Sequence, residues 1–398
     1  MSGKMVFTGG GWAASAADVG AADGDGAAAA SYPVIDAHYH VFPRLGSQRE
    51  GIDPALRVRF WQYHSREWNQ FWRKDDGALV TDRLLEFGSN DIEDMPDVGF
   101  RLADHGQAEV TVDGVDYVLQ IYPPNLTGNE ASPERMLGEM NIAGVDIGVL
   151  QSDHVYGELH GYFAEVMARH PGRFLGLAQI WEPAADRPAQ LDRLAAAVRT
   201  HGMRGVYFSV EPLSVSRLDD PITGERFDRM WQLVEELQVP VFWFLDDRTL
   251  DRIGAFRRRV AELAEFAERH PSVVSVITHG LVPAAIIHEI GIPDEVVALL
   301  RRDNVLGELL IPAKWPPSAY PYPEGQAQLR ELRDAVGAEK LLWGSDSPYG
   351  MSAWCTYRQA IDLIRLHCDF LSADEKGLIL GGNAARLFGL DLGRAALP

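Results

Sequence analysis

Residues 34–41 read VIDAHYHV, an apolar, strand-like run carrying two histidines separated by a single tyrosine. Side chains alternate across a strand, so His38 and His40 are expected on one face, together with Val34 and Asp36. Seven further runs share this character: GVDIGVLQ (144–151), RFLGLAQI (173–180), GMRGVYFSV (202–210), VPVFWFL (239–245), SVVSVITHG (272–280), NVLGELLI (304–311) and LLWGSD (341–346). They are apolar at both parities, as strands covered on two faces must be. Amphipathic stretches separate most of them. In LDRIGAFRRRVAELAEFAERH, Leu250, Ile253, Phe256, Val260 and Leu263 recur at helical spacing with Arg and Glu opposite, and QLDRLAAAVRTHG stops on Gly202. Strands alternating with helices imply a parallel sheet. An open doubly wound sheet would favour a glycine-rich phosphate loop after its first strand, and none is present. The expected fold is α/β, a (β/α)8 TIM barrel spanning 33–43 and 141–392.

Residues 44–140 break the repeat and read as an insertion after strand 1. Within it, AEVTVDGVDYVLQIYPP alternates about Asp113-Gly114, which predicts a β-hairpin. The insertion serves equally well as a lid over the pocket or as a dimer contact. Residues 1–32, rich in Ala and Gly, read as a flexible tail without the apolar stretch of a secretory signal. Lys+Arg number 37 against Asp+Glu 57, a net charge of −20. That balance disfavours nucleic acid and anionic membrane surfaces as partners. No apolar run reaches membrane-spanning length. The only cysteines, Cys355 and Cys368, make no disulfide framework, and a cytoplasmic enzyme acting on a small molecule is expected.

The chemistry gathers at strand ends. His38 and His40 close the first run and can share one divalent metal. His279 ends the sixth run. Asp346 ends the eighth, and Gly344 on its face leaves room inside the barrel. A carboxylate there can bind metal and take a proton from water. His154, Lys314, Trp315, Tyr349 and Arg204 are placed near the active face as candidate substrate contacts.

VIDAHYHVF, VITHG, LLWGSDSPYG and the late GNAARLFGL resemble, in this order, the motifs of the amidohydrolase-related family. That group includes aminocarboxymuconate-semialdehyde decarboxylase, γ-resorcylate decarboxylase and pyrone-dicarboxylate lactonase. The resemblance implies that His38, His40 and Asp346 hold a metal such as zinc. It implies that His279 acts on the substrate or the attacking water, and that the chain forms a homodimer. Relatives that bind metal carry a histidine at the end of strand five, where this chain has Phe244. Asp246, one pleat further, is the expected substitute ligand, with Glu308 on strand seven as a second candidate. The lysine of binuclear relatives is missing from strand four, so no more than a single ion is expected, and with Phe244 in the ligand position the resemblance to the lactonase branch, which works without a metal, leaves a weakly held ion or none as the alternative.

Three readings of function follow. The first is hydrolysis of an amide, ester or lactone bond of a small apolar or aromatic molecule, with Asp346 and His279 catalytic. The second is non-oxidative decarboxylation of an aromatic or unsaturated acid, with Arg204 or Lys314 facing the carboxylate. The third is a barrel that binds a small molecule without turnover.

Overall fold

The computed structural model describes residues 33–45, 54–310, 319–351 and 355–390; the expected tail, Lys314 and Trp315 lie outside them. Eight parallel strands form the core: β1 (Ile35–Tyr39), β2 (Ile147–Leu150), β3 (Phe174–Gly176, resuming at Ala178–Gln179), β4 (Val206–Ser209), β5 (Val241–Phe244), β6 (Ser275–Ile277), β7 (Val305–Leu309) and β8 (Leu341–Trp343). Within β3 the chain changes partners at Leu177. Its amide donates to the Leu150 carbonyl (3.0 Å), and the Ala178 amide donates to Gly205 (2.8 Å). The ring closes between β8 and β1, where the Asp346 amide donates to the His38 carbonyl (2.9 Å) and the His40 amide to Ser347 (3.0 Å). The fold is a TIM barrel.

Alternation sorts each strand into an inner and an outer face. Phe242 and Phe244 of β5 join Tyr207, Val276 and Leu342 in the lumen. Val241 and Trp243 face outward, where the Trp243 ring meets Trp231 at 5.1 Å and Phe266 at 4.8 Å. Fully burying each such ring contributes roughly 1.5–3 kcal/mol. Phe266 lies on the helix Arg252–Arg269, whose Asp251 cap accepts from the Gly254 amide at 3.1 Å. Phe256, Val260 and Leu263 face the core as expected, but Leu250 precedes the helix and is exposed.

The first strand departs from strict alternation. Its pairing with β2 slips between Asp36 and Tyr39. Ile35 and Ala37 point into the lumen, while Val34 and Tyr39 join the outer core. Asp36 therefore does not share the histidine face. It lies fully buried behind the strand, accepting from Ser345 Oγ (2.6 Å) and the Tyr357 hydroxyl (2.8 Å). Burial outweighs those hydrogen bonds and pushes its pKa up to about 7.

The amino-terminal end of the barrel is plugged by Ala384, Ala385 and Phe388, the last stacked on Phe242 at 6.1 Å. Between β1 and β2 the chain builds a helix, Pro54–His64, and a five-stranded antiparallel sheet. The sheet contains the expected hairpin, Gln107–Val112 against Val115–Gln120. Its turn, Asp113-Gly114, has positive φ at both residues (51° and 77°), the geometry whose twist matches paired strands. Helix Pro133–Ala143, begun by the Ser132 cap and ended by left-handed Gly144, leads into β2.

Candidate active site

Four of the expected residues meet at the carboxyl end of the barrel. The His38 and His40 rings lie 4.9 Å apart, and His279 stands 4.6 Å from His38. Asp346 Oδ1 is 3.1 Å from His40 Nε2 and 3.7 Å from His38 Nε2. His279 and Asp346 both leave their strands through left-handed backbone, φ 57° in each. Residues other than glycine pay about 1–3 kcal/mol for such strain, and it concentrates where a side chain must be aimed. Gly344 makes the approach possible: a Cβ there would meet His38 Cβ at 2.7 Å.

Both imidazoles are oriented from behind. His40 Nδ1 lies 2.9 Å from the Gln151 carbonyl, and His38 Nδ1 lies 2.7 Å from Glu308 Oε1. With each Nδ1 engaged as a donor, each ring when neutral would keep its Nε2 lone pair for a metal; His40 Nε2 is hydrogen-bonded to Asp346 Oδ1. Glu308 is fully buried and fully used. Its Oε1 also accepts from Thr278 Oγ1 (2.7 Å) and the His279 amide (3.0 Å), and its Oε2 accepts from Gln151 Nε2 (2.8 Å). Glu308 thus orients His38 rather than serving as the alternative ligand anticipated above. Burial alone would lower the His38 pKa, but Glu308 and then Asp346 outweigh it and raise it.

His38, His40 and Asp346 offer ligand atoms within 4.8 Å of one another. His38 Nε2 is buried and has no hydrogen-bond partner among the described residues. A buried lone pair left unmatched is costly, and a divalent cation between two imidazoles and a carboxylate would satisfy it. The donor set fits such an ion.

Asp246 does not join this group. It lines the same cavity, but Arg252 Nε donates to it at 2.9 Å, Arg252 Nη2 makes a second contact, and the Arg248 amide adds a third. Burial would raise its carboxyl; the two arginines overcome that and hold it down at about 2. A carboxylate so committed is a poor substitute for the ligand missing at Phe244. The Phe244 ring itself faces the lumen and packs against His279 at 4.1 Å.

Two substrate candidates are displaced. Arg204 precedes β4, at the opposite end of the barrel, where its guanidinium donates to the Phe388 carbonyl (2.6 Å). His154 turns away from the cavity to Glu182, with Nε2 2.6 Å from Oε2, and stands edge-on to Trp181. Burial would lower the His154 pKa, but Glu182 raises it. Tyr349 does line the cavity. Cys355 and Cys368 are free, and burial pushes both thiols up to about 12, which makes them inert at neutral pH.

The cavity encloses about 510 Å³, the size of a small-molecule pocket. His40, His279 and Asp346 stand at its floor, while the insertion supplies Trp61, His64, Trp68 and Trp72 to its wall. His64 is fixed by Glu211 (2.7 Å), itself 3.3 Å from Arg248 Nε. Gln151 and Thr278 were legible in retrospect, since they continue the lumen parity of Ile147, Val149 and Val276. The contributions of His64 and Tyr122 depend on how the insertion folds back, and no local pattern announces them; Tyr156 lies in the loop after β2, two residues beyond His154.

Residues 35–390 match the amidohydrolase family. The chain belongs to that family. It is therefore an enzyme, and the reading as a barrel without turnover gives way. No curated protein matches this amidohydrolase in sequence. Among solved structures it is similar to 5-carboxyvanillate decarboxylase from Sphingomonas paucimobilis (17% identity, TM-score 0.53, 90% of this chain and 99% of that one). A probable 2-pyrone-4,6-dicarboxylic acid hydrolase from Acinetobacter baumannii, crystallised with citric acid, is 19% identical (TM-score 0.52, 66% and 90%). A zinc-bound amidohydrolase from Burkholderia multivorans is 18% identical (TM-score 0.51, 66% and 90%). At these identities the likeness bears on the fold of this amidohydrolase. Among its described residues no helix is long and apolar enough to cross a membrane.

Proposed function

We propose that this amidohydrolase hydrolyses an ester, lactone or amide bond of a small aromatic molecule, with water activated between His38, His40 and Asp346. The observation that carries the reading is the unmatched, buried Nε2 of His38 beside His40 Nε2 and Asp346 Oδ1. A single divalent ion such as zinc, when bound by these three, would lower the pKa of water to about 7. Asp346, in contact with the same space, takes the proton from the attacking water and returns it to the leaving group. His279, at the end of β6, faces the developing negative charge. The aromatic wall of Trp61, Trp68 and Trp72 favours a flat, apolar substrate.

Decarboxylation is a second reading, supported by one observation: Arg248 lines the cavity and can face a carboxylate. Metal analysis of the purified protein, followed by assays of aromatic esters and lactones beside carbon dioxide release from aromatic acids, separates the two. Stoichiometric metal with ester or lactone turnover supports hydrolysis. Carbon dioxide release without hydrolysis overturns it.

A further inference from the structure

Five rings form a row at the carboxyl end of the barrel: Tyr156, His40, His38, His279 and Phe244, with successive centroids 5.1, 4.9, 4.6 and 4.1 Å apart. His279 stands toward one end and Tyr156 occupies the other. The Tyr156 hydroxyl accepts a hydrogen bond from the Tyr122 hydroxyl at 2.7 Å. Both side chains line the cavity and both are buried, Tyr156 7% exposed and Tyr122 0%. Tyr122 is the sole hydrogen-bond partner of the Tyr156 hydroxyl among the described residues, so the proton of Tyr156 is committed to no protein acceptor. A hydroxyl that accepts one hydrogen bond is polarised into a stronger donor. Phe42, stacked on Tyr156 at 4.8 Å, and Trp61, edge-on to Tyr122 at 5.6 Å, hold the pair in place. A buried donor with nothing to donate to is costly unless a ligand oxygen supplies the acceptor.

We propose that Tyr156 is the hydrogen-bond donor to the substrate's carbonyl oxygen, and that Tyr122 is a positioning residue that polarises and aims it. The assignment rests on the hydrolytic reading above. In the step it serves, the water oxygen bonds to the carbonyl carbon, the π pair moves onto the carbonyl oxygen, and the proton from water passes to Asp346. Tyr156 stabilises that oxygen while keeping its own proton. When the pair returns, the bond to the leaving group breaks and the leaving group takes the proton from Asp346. His279 and Tyr156 would then grip the charge from the two sides of the histidine pair.

The test uses the full-length, zinc-loaded protein with methyl benzoate as substrate probe, phenylphosphonate as the tetrahedral mimic and benzamide as the planar one. Tyr156→Phe keeps the ring packed on His40 and Phe42 and removes one oxygen. It is expected to lower kcat on methyl benzoate about 100-fold, the effect typical of one lost oxyanion donor, with KM within about threefold. By calorimetry it should weaken phenylphosphonate about 30-fold or more on the same ground and benzamide, whose neutral carbonyl oxygen accepts more weakly, by no more than about threefold. Tyr122→Phe should show a smaller loss of the same kind, and the double variant should be no worse than Tyr156→Phe, because Tyr122 acts only through Tyr156. If Tyr156→Phe fails to fold, Tyr122→Phe carries the comparison of the phosphonate with the amide. Equal phenylphosphonate affinity in wild type and variants, or additive losses in the double variant, overturns the proposal. If wild type turns over no methyl benzoate yet the phosphonate discrimination holds, the hydrolytic reading falls while the donor assignment stands.

Discussion

Glu308→Gln isolates the group behind the proposed metal site. Glu308 Oε1 accepts from His38 Nδ1, Thr278 Oγ1 and the His279 amide, and its Oε2 accepts from Gln151 Nε2. A glutamine can keep its oxygen toward the three donors only by turning its NH2 toward Gln151, where two donors then face each other at 2.8 Å. Rotating Gln151 to accept would break its contacts with Thr278 (3.2 Å) and the Ala37 carbonyl (2.7 Å). One buried donor is left unsatisfied on either path, a cost of about 1–3 kcal/mol. The variant also removes the negative charge that raises His38 basicity and fixes its tautomer. Loss of such an orienting group typically weakens metal binding about 10- to 100-fold. Competition with a chromogenic chelator measures zinc affinity, and thermal unfolding of the metal-free protein measures the packing cost. Zinc affinity within threefold of wild type, together with an unmoved unfolding midpoint, would refute the claim that Glu308 organises the site.

Three further predictions follow from the same geometry. Gly344→Ala places a Cβ 2.7 Å from His38 Cβ and 3.0 Å from Leu310 Cδ2; it should cost about 1–3 kcal/mol of stability and weaken zinc binding, read by unfolding and chelator competition. Arg204→Ala should leave methyl benzoate turnover within twofold and lower stability by about 1 kcal/mol, because its guanidinium ties down the Phe388 carbonyl at the far end of the barrel. Asp246 has a folded pKa of about 2 against an ordinary 3.8, so it contributes stability above pH 4 that is lost as pH falls toward 2. That contribution is worth about 2 kcal/mol, and Asp246→Asn should flatten the acid limb of a stability-against-pH curve; an unchanged limb would contradict the assignment.

The barrel was legible because strands buried on both faces write continuous apolar runs, and each of the eight runs contains its strand. His38, His40, His279 and Asp346 were legible for a related reason: polar residues that end otherwise apolar strands have few structural excuses. Arg204 misled because it sits beside a strand whose direction matters, and the amino-terminal end faces the plug rather than the substrate. Asp246 misled because parity places a carboxylate at the lumen but says nothing of Arg248 and Arg252, two and six residues further along the chain, that claim it first. Asp36 misled because a register slip is invisible in a pattern read two residues at a time.

The aromatic at position 244 gives the site its individual character. Three protein donors, two imidazoles and one carboxylate, are the complement that leaves an ion open to water and substrate. A fourth protein ligand from strand five would occupy part of that opening. Phe244 instead presses its ring on His279 at 4.1 Å, and the Arg248 guanidinium lies 5.9 Å from the centre of the same ring. The position that would have supplied a ligand therefore supports the imidazole at the end of β6. An ion held by fewer ligands depends more heavily on how firmly each is aimed. On the proposed metal reading, that dependence would account for the buried polar structure, Glu308, Gln151 and Thr278, behind one histidine.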